Sequence, residues 1–274
     1  MKTWISCGVA AIALSAAAVA TGNTLSEPSG NRSIRAGVQC TYPPFSYRDM
    51  SGQLKGFEID VVSEVADRIQ AKLQFVCLDF NGLIPALLAQ KIDVIAASLS
   101  ITEVRKNSID FSIPYRASTA RFLGERREGI KPFDADGKPD PAALKGKIVG
   151  VQRATTNDTY LAAVFPGVQI SRYDSAENLL LDLTARRIDL ALVGPLKVER
   201  DFLNQDAGKN YQFVGPEIES VQYFGSGVAF GLRKDAQALR EAINAALQGM
   251  YDDGTFKAIN QRYWSFSVLP SVWH

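Results

Sequence analysis

From residue 33 onward, short apolar runs rich in β-branched residues alternate with longer amphipathic stretches. This alternation constrains the chain more than any other feature, because α/β layers with mostly parallel strands satisfy it and few other architectures do. Ile34 to Val38, Leu73 to Leu78, Asp93 to Ala97, Ile148 to Val151 and Gly227 to Leu232 read as strands, and Phe111 to Tyr115 as extended chain. Gly56 to Ile69 reads as a helix with Ile59, Val62, Val65, Ala66 and Ile69 on one face, and Ile84 to Ala89, Ala236 to Met250 and Thr255 to Tyr263 as further helices. Thr102 is placed to cap a short helix through Arg105. The run Leu87-Leu88-Ala89-Gln90-Lys91-Ile92-Asp93-Val94 returns as Leu183-Thr184-Ala185-Arg186-Arg187-Ile188-Asp189-Leu190. That spacing is too long for a solenoid period and suits two similar lobes. Between them, Gly129 to Pro141 reads as a surface loop.

Thirty basic residues against 29 acidic ones leave no global field to draw the chain onto nucleic acid. The one histidine, His274, removes histidine triads, histidine general bases and histidine-rich metal sites from consideration. Residues 1–20 read as a signal peptide: Met1-Lys2, an apolar stretch from Trp4 to Val19, and an Ala18-Val19-Ala20 cleavage site. A membrane anchor is the competing reading, against which Ser6, Cys7, Gly8 and Ser15 interrupt the apolar run. Export would remove Cys7 and leave Cys40 and Cys77 either as a disulfide or as two separate buried thiols.

Several residues carry two readings. Phe45 and Phe57 read as core, while Tyr42 and Phe80, where loops leave strands, are either core aromatics or faces on which a ligand stacks. Ser98 and Ser100 either cap the following helix or join Arg105, otherwise an ordinary solvated charge, around a carboxylate. Thr155 and Thr156, in Gln152-Arg153-Ala154-Thr155-Thr156-Asn157, cap a helix whose N-terminus is also an anion site.

Gly56-Phe57-Glu58-Ile59-Asp60-Val61, Asp79-Phe80-Asn81-Gly82-Leu83-Ile84-Pro85, Ser98-Leu99-Ser100-Ile101-Thr102-Glu103-Val104-Arg105 and Asp253-Gly254-Thr255-Phe256 stand in the order that resembles the polar amino-acid family of periplasmic binding proteins. The lysine/arginine/ornithine binders and the opine binders are nearest in character. The resemblance implies a two-lobed type II fold, each lobe a mostly parallel sheet flanked by helices, with a two-strand hinge near Ala117 to Arg121 and Phe224 to Val228. Lobe 1 would comprise residues 33–118 and 226–268, and lobe 2 residues 119–225.

It also implies a periplasmic monomer that serves an inner-membrane ABC permease in amino-acid transport, with no cofactor and no metal. Arg105 would clamp the ligand's α-carboxylate with Ser98 and Ser100, while Thr155 and Thr156 close from the other lobe. Two positions depart from that pattern. The acid that pairs with the ligand's ammonium falls on Gly194, and Gln39 stands where binders of cationic side chains tend to carry an acid. An ammonium enclosed without a carboxylate is poorly compensated. Ligands with a substituted nitrogen, such as opines, therefore rank level with ordinary polar amino acids, and Gln152 takes a position that faces the ligand in opine binders. Two rivals remain. One is a periplasmic cyclohexadienyl-type dehydratase, for which Asp158 and Glu103 are the nearby acids. The other is a receptor sensor domain, which would need a membrane span after Trp264.

Overall fold

The computed structural model describes Met1 and residues 33–269, so the expected signal peptide lies, beyond Met1, outside the described residues. Its strands in chain order are β1 (Ser33–Val38), β2 (Thr41–Tyr42), β3 (Ser46–Arg48), β4 (Leu54–Lys55), β5 (Lys72–Cys77), β6 (Val94–Ile95), β7 (Asp110–Phe111), β8 (Ala120–Glu125), β9 (Ile148–Gln152), β10 (Gln169–Tyr173), β11 (Leu190–Val193), β12 (Tyr211–Ile218) and β13 (Gly231–Leu232). The helices are α1 (Phe57–Arg68), α2 (Phe80–Leu88), α3 (Glu103–Lys106), α4 (Thr156–Val164), α5 (Ala176–Thr184), α6 (Pro195–Val198), α7 (Val221–Phe224), α8 (Gln237–Asp252) and α9 (Thr255–Gln261).

Two five-stranded sheets, ordered β5-β1-β6-β13-β7 and β10-β9-β11-β8-β12, form the two lobes, and a small meander β2-β3-β4 sits beside the first. In each large sheet three parallel strands are followed by one that runs against them, β13 or β8, and the last strand, β7 or β12, runs with the first three again. The echoed Ile-Asp pair explains part of this likeness. Asp93 receives the Arg35 backbone N–H at 3.0 Å, and Asp189 receives that of Ile148 at 2.7 Å, so each carboxylate fastens the start of the neighbouring parallel strand. The isoleucines need room. A Cβ on Gly37 or Gly150 would fall 2.5 Å from the Cδ1 of Ile92 or Ile188 respectively, so glycine in the neighbouring strand admits each one. Before each pair the chain turns through a positive-φ residue, Gln90 or Arg186.

Apolar side chains cover both faces of both sheets. Phe45 and Phe57 belong to the first lobe's aromatic core with Tyr115, Phe230 and Trp264, as their sequence context predicts. Chain crossings between the lobes run side by side where Arg116 pairs with Val228 and Tyr115 donates its N–H to the Val228 carbonyl at 2.9 Å.

Some sequence expectations are corrected. The second helix begins at Phe80 rather than Ile84, because burial of Phe80, Leu83, Ala86 and Leu87 outweighs the hydrogen bond that Pro85 cannot make. Phe80 is therefore the first residue of a helix and not part of a loop. The strand read from Gly227 is a ladder only at Gly231–Leu232; Val228 makes isolated bridges to Ser100 and Arg116. The loop from Gly129 to Pro141 is anchored, since Phe133 is buried against Phe122 and Phe165. The two cysteines form a disulfide, Cys40–Cys77, with Cα atoms 5.5 Å apart. The parallel register that sets Val38 beside Cys77 brings them together.

Candidate functional site

Beyond the carboxyl ends of the parallel strands, where open α/β sheets bind ligands, a cavity of about 70 Å³ lies between the lobes. That is room for roughly five water molecules, the scale of a small polar solute. All ten residues singled out from the sequence line it.

The first lobe supplies Gln39 from the end of β1, Tyr42 from β2, Phe80 from the start of α2, and Ser98, Ser100 and Arg105. Ser98 has φ 52°, a conformation unfavourable for a residue with a side chain. Glu58, fully buried in the first turn of α1, holds it there: one carboxylate oxygen accepts both the Ser98 N–H and its hydroxyl at 2.7 Å, and the Tyr115 hydroxyl at 2.8 Å. Burial pushes the Glu58 carboxyl upward, opposed by Arg116 and by these donors. Ser100 shares a hydroxyl hydrogen bond of 2.8 Å with Ser118. Neither serine caps the helix, which corrects the local reading. Thr102 does, accepting the Arg105 N–H at 3.3 Å.

The Arg105 guanidinium donates to the Ser100 carbonyl at 2.9 Å and, across the cleft, to the Ala154 carbonyl at 3.1 Å, with Phe80 centred 5.5 Å away. Burial lowers its pKa to about 10, so it stays cationic at neutral pH. Among the described residues no carboxylate lies within ion-pair distance of it. Arg105 is thus a desolvated cation that faces the cleft without a countercharge.

From the second lobe come Gln152 at the end of β9, Thr155 and Thr156 at the start of α4, and Gly194 before α6. Thr155 caps α4, accepting the Asp158 N–H at 3.3 Å and donating to the Gln152 carbonyl at 2.6 Å, while Gln152 donates to the Asp174 carbonyl at 3.1 Å. Gly194 has φ −71°, and the nearest atom to a Cβ built there is the Tyr42 hydroxyl at 3.7 Å. Neither backbone nor packing demands glycine at this position, so its missing side chain is a property of the cleft.

Sequence reasoning passed over two cations in the lining. Lys197, one turn beyond Gly194 on α6, is 2% exposed; its ammonium reaches Asp201 at 2.6 Å and the Pro43 carbonyl of the first lobe at 3.3 Å, 5.1 Å from the centre of the Tyr42 ring. Arg116 stacks 4.5 Å over Phe45 and donates to the Ala117 carbonyl at 3.1 Å. A charge following Tyr115 in an extended apolar run was the signal available for Arg116. Among the described residues three cations line the cavity, and no aspartate or glutamate does.

Two like lobes joined by paired crossings, with a polar cleft between them, define a hinged binding protein for a small solute. The sequence pattern of the bacterial extracellular solute-binding proteins, family 3, matches residues 34–266, and the chain belongs to that family. It is 37% identical over 245 residues to the L-arginine-binding protein of Pseudomonas aeruginosa, covering 89% of this chain and 92% of that protein. It is 39% identical over 237 residues to the histidine-binding periplasmic protein of Salmonella typhimurium, covering 86% and 88%. An ancestral arginine-binding protein bound to arginine superposes with a TM-score of 0.76 at 31% identity, covering 85% of this chain and 98% of that one. Among the described residues no helix is long and apolar enough to cross a membrane.

Proposed function

We propose that the chain is the exported, periplasmic solute-binding component of an ABC importer, and that it captures an amino acid or N-substituted amino acid by closing its lobes on it. Segments 117–121 and 224–228 serve as the hinge, with residues 33–118 and 226–268 in one lobe and 119–225 in the other. Arg105 carries this reading, because a half-buried cation without a countercharge, between a serine carbonyl on one lobe and the Ala154 carbonyl on the other, calls for a carboxylate. Ser100, Thr156 and the start of α4 line the same space and would add hydroxyl and backbone donors, while Ser98, held by Glu58, and Thr155, bonded to the Gln152 carbonyl, shape it. Tyr42 and Phe80 offer aromatic faces to the rest of the ligand.

The relatives' names point to basic amino acids. Gly194 and Gln39 point away from a bare ammonium and favour a substituted nitrogen. The dehydratase reading finds no acid in the cleft: Asp158 pairs with Arg172 at 2.9 Å, Glu103 is exposed and pairs with Lys106, and neither lines the cavity. Isothermal titration of Arg105→Met against wild type tests the proposal. Loss of the clamp should weaken binding by about two to three decades while the variant's melting in the absence of ligand stays cooperative. Binding within threefold of wild type would remove Arg105 from the site.

A further inference from the structure

We infer that the cleft is built for a ligand with two carboxylates flanking a substituted nitrogen, one received by Arg105 and the second by Arg116. The inference rests on the amino-acid reading above and narrows it. Charge in the lining is one-sided: Arg105, Arg116 and Lys197 face the cavity, and no carboxylate does. Lys197 already has a partner in Asp201 at 2.6 Å. Arg116 does not. Among the described residues no carboxylate oxygen comes within 4.0 Å of its nitrogens. Its Nε is buried without a hydrogen-bond partner, and among the described residues its guanidinium donates only to the Ala117 carbonyl.

The acid that Arg116 acts on through space is Glu58, behind Ser98, whose Oε1 is taken by three donors and whose Oε2 is itself unpartnered. Arg116 lowers the energy of that buried acid through space without pairing with it. An arginine serving Glu58 alone need not border the cavity, and Arg116 does, beside Ser118, Phe45 and Val228. The open position at Gly194 is the other half of the argument. A ligand nitrogen here meets no protein carboxylate, and a ligand that carries a carboxyalkyl group on that nitrogen brings the countercharge with it. Its second carboxylate then needs a cation of its own, and Arg116 is the unpaired one.

Three probes separate the possibilities by isothermal titration with the mature protein: L-arginine, Nα-ethyl-L-arginine and Nα-carboxymethyl-L-arginine. The last two differ by one carboxylate at nearly equal size. Wild type should bind the carboxymethyl compound at least about tenfold more tightly than the ethyl compound, the effect of one charge-assisted pair. Arg116→Met should bring that ratio close to one, and Arg116→Lys should restore part of it. A structural role, through Glu58 or the hinge, would weaken both probes together and leave the ratio intact, which overturns the assignment. Equal binding of the ethyl and carboxymethyl compounds, or tightest binding of L-arginine, with Arg105 still required, overturns the inference and leaves the amino-acid reading standing. Binding of none of the three, nor of L-alanine, Nα-ethyl-L-alanine and Nα-carboxymethyl-L-alanine, which lack the cationic side chain, in wild type of normal stability, overturns both.

Discussion

At the scale of single residues, Glu58 shows how the site is held. Its carboxyl is completely buried, with three donors on one oxygen and none on the other. Burial raises its pKa, so the folded chain holds this proton more firmly than the unfolded chain does. The stability Glu58 contributes is then complete below the ordinary glutamate value of about 4.3 and is lost as pH rises through the raised folded value. Glu58→Gln keeps an acceptor for the three donors and removes the titration. As pH rises from below about 4.3 through the raised folded value, the difference in unfolding free energy should move in favour of the glutamine variant. Urea denaturation of both proteins at steps across that range measures it, and a constant difference would show that Glu58 titrates like an exposed acid.

At the scale of elements, the Ile-Asp echo predicts a measurable coupling. Gly150→Ala sets a Cβ 2.5 Å from the Ile188 Cδ1, with Tyr173 at 3.2 Å and Leu179 at 3.4 Å behind it, and should cost about 1–3 kcal/mol. Ile188→Val alone removes that methyl, at about 0.5–1.5 kcal/mol. Together they should cost less than the sum, by at least about 0.5 kcal/mol; additive costs in a double-mutant cycle would mean that the glycine does not admit the isoleucine. The Ile-Asp recurrence was legible in the sequence as one short repeated run, whereas Gly37 and Gly150, which admit the isoleucines, lie in other strands and are tied to it only by the fold. The ten expected lining residues were legible through the family resemblance of the runs that hold them, and the structure sets them at strand ends and helix starts around one cavity. Arg116 and Lys197 were not, because they reach the cavity only through the crossing beside Val228 and the approach of α6 to Pro43. The start of α2 was missed because Asn81-Gly82 reads as a turn until the buried face of Phe80 and Leu83 is seen to override it. The disulfide was left open because its pairing depends on the register of β1 with β5.

At the scale of the whole molecule, the Cys40–Cys77 bond ties two positions 37 residues apart and braces the edge of the first lobe beside Tyr42. Replacing both cysteines with alanine should lower unfolding free energy by about 2–4 kcal/mol, read by denaturation against the oxidised wild type. A change below about 0.5 kcal/mol would mean that β1 and β5 fix the unfolded chain's reference without it.

Lobe closure makes a different demand. Contacts across the cleft include Arg105 to Ala154, Lys197 to Pro43 and Tyr42, and Arg200 to the Tyr263 carbonyl. Lys197 is nearly sealed from water in this arrangement, and burial lowers its pKa against the pull of Asp201. Opening the lobes would return it to solvent, so its hydrogen bond to Pro43 and its place over Tyr42 exist only when the cleft is closed. A residue of that kind sets the balance between open and closed forms without selecting among ligands. In a protein that binds by closing, a variant that favours the open form weakens every ligand by one common factor. Lys197→Met should therefore raise the dissociation constants of L-arginine, Nα-ethyl-L-arginine and Nα-carboxymethyl-L-arginine together, by about five- to tenfold, the worth of roughly 1 kcal/mol. Small-angle scattering should show wild type compacting at saturating ligand and the variant compacting to the same final size at higher concentration. If the three constants move by different factors, Lys197 contacts the ligand itself, and control of closure must be sought in Arg105 and Arg200.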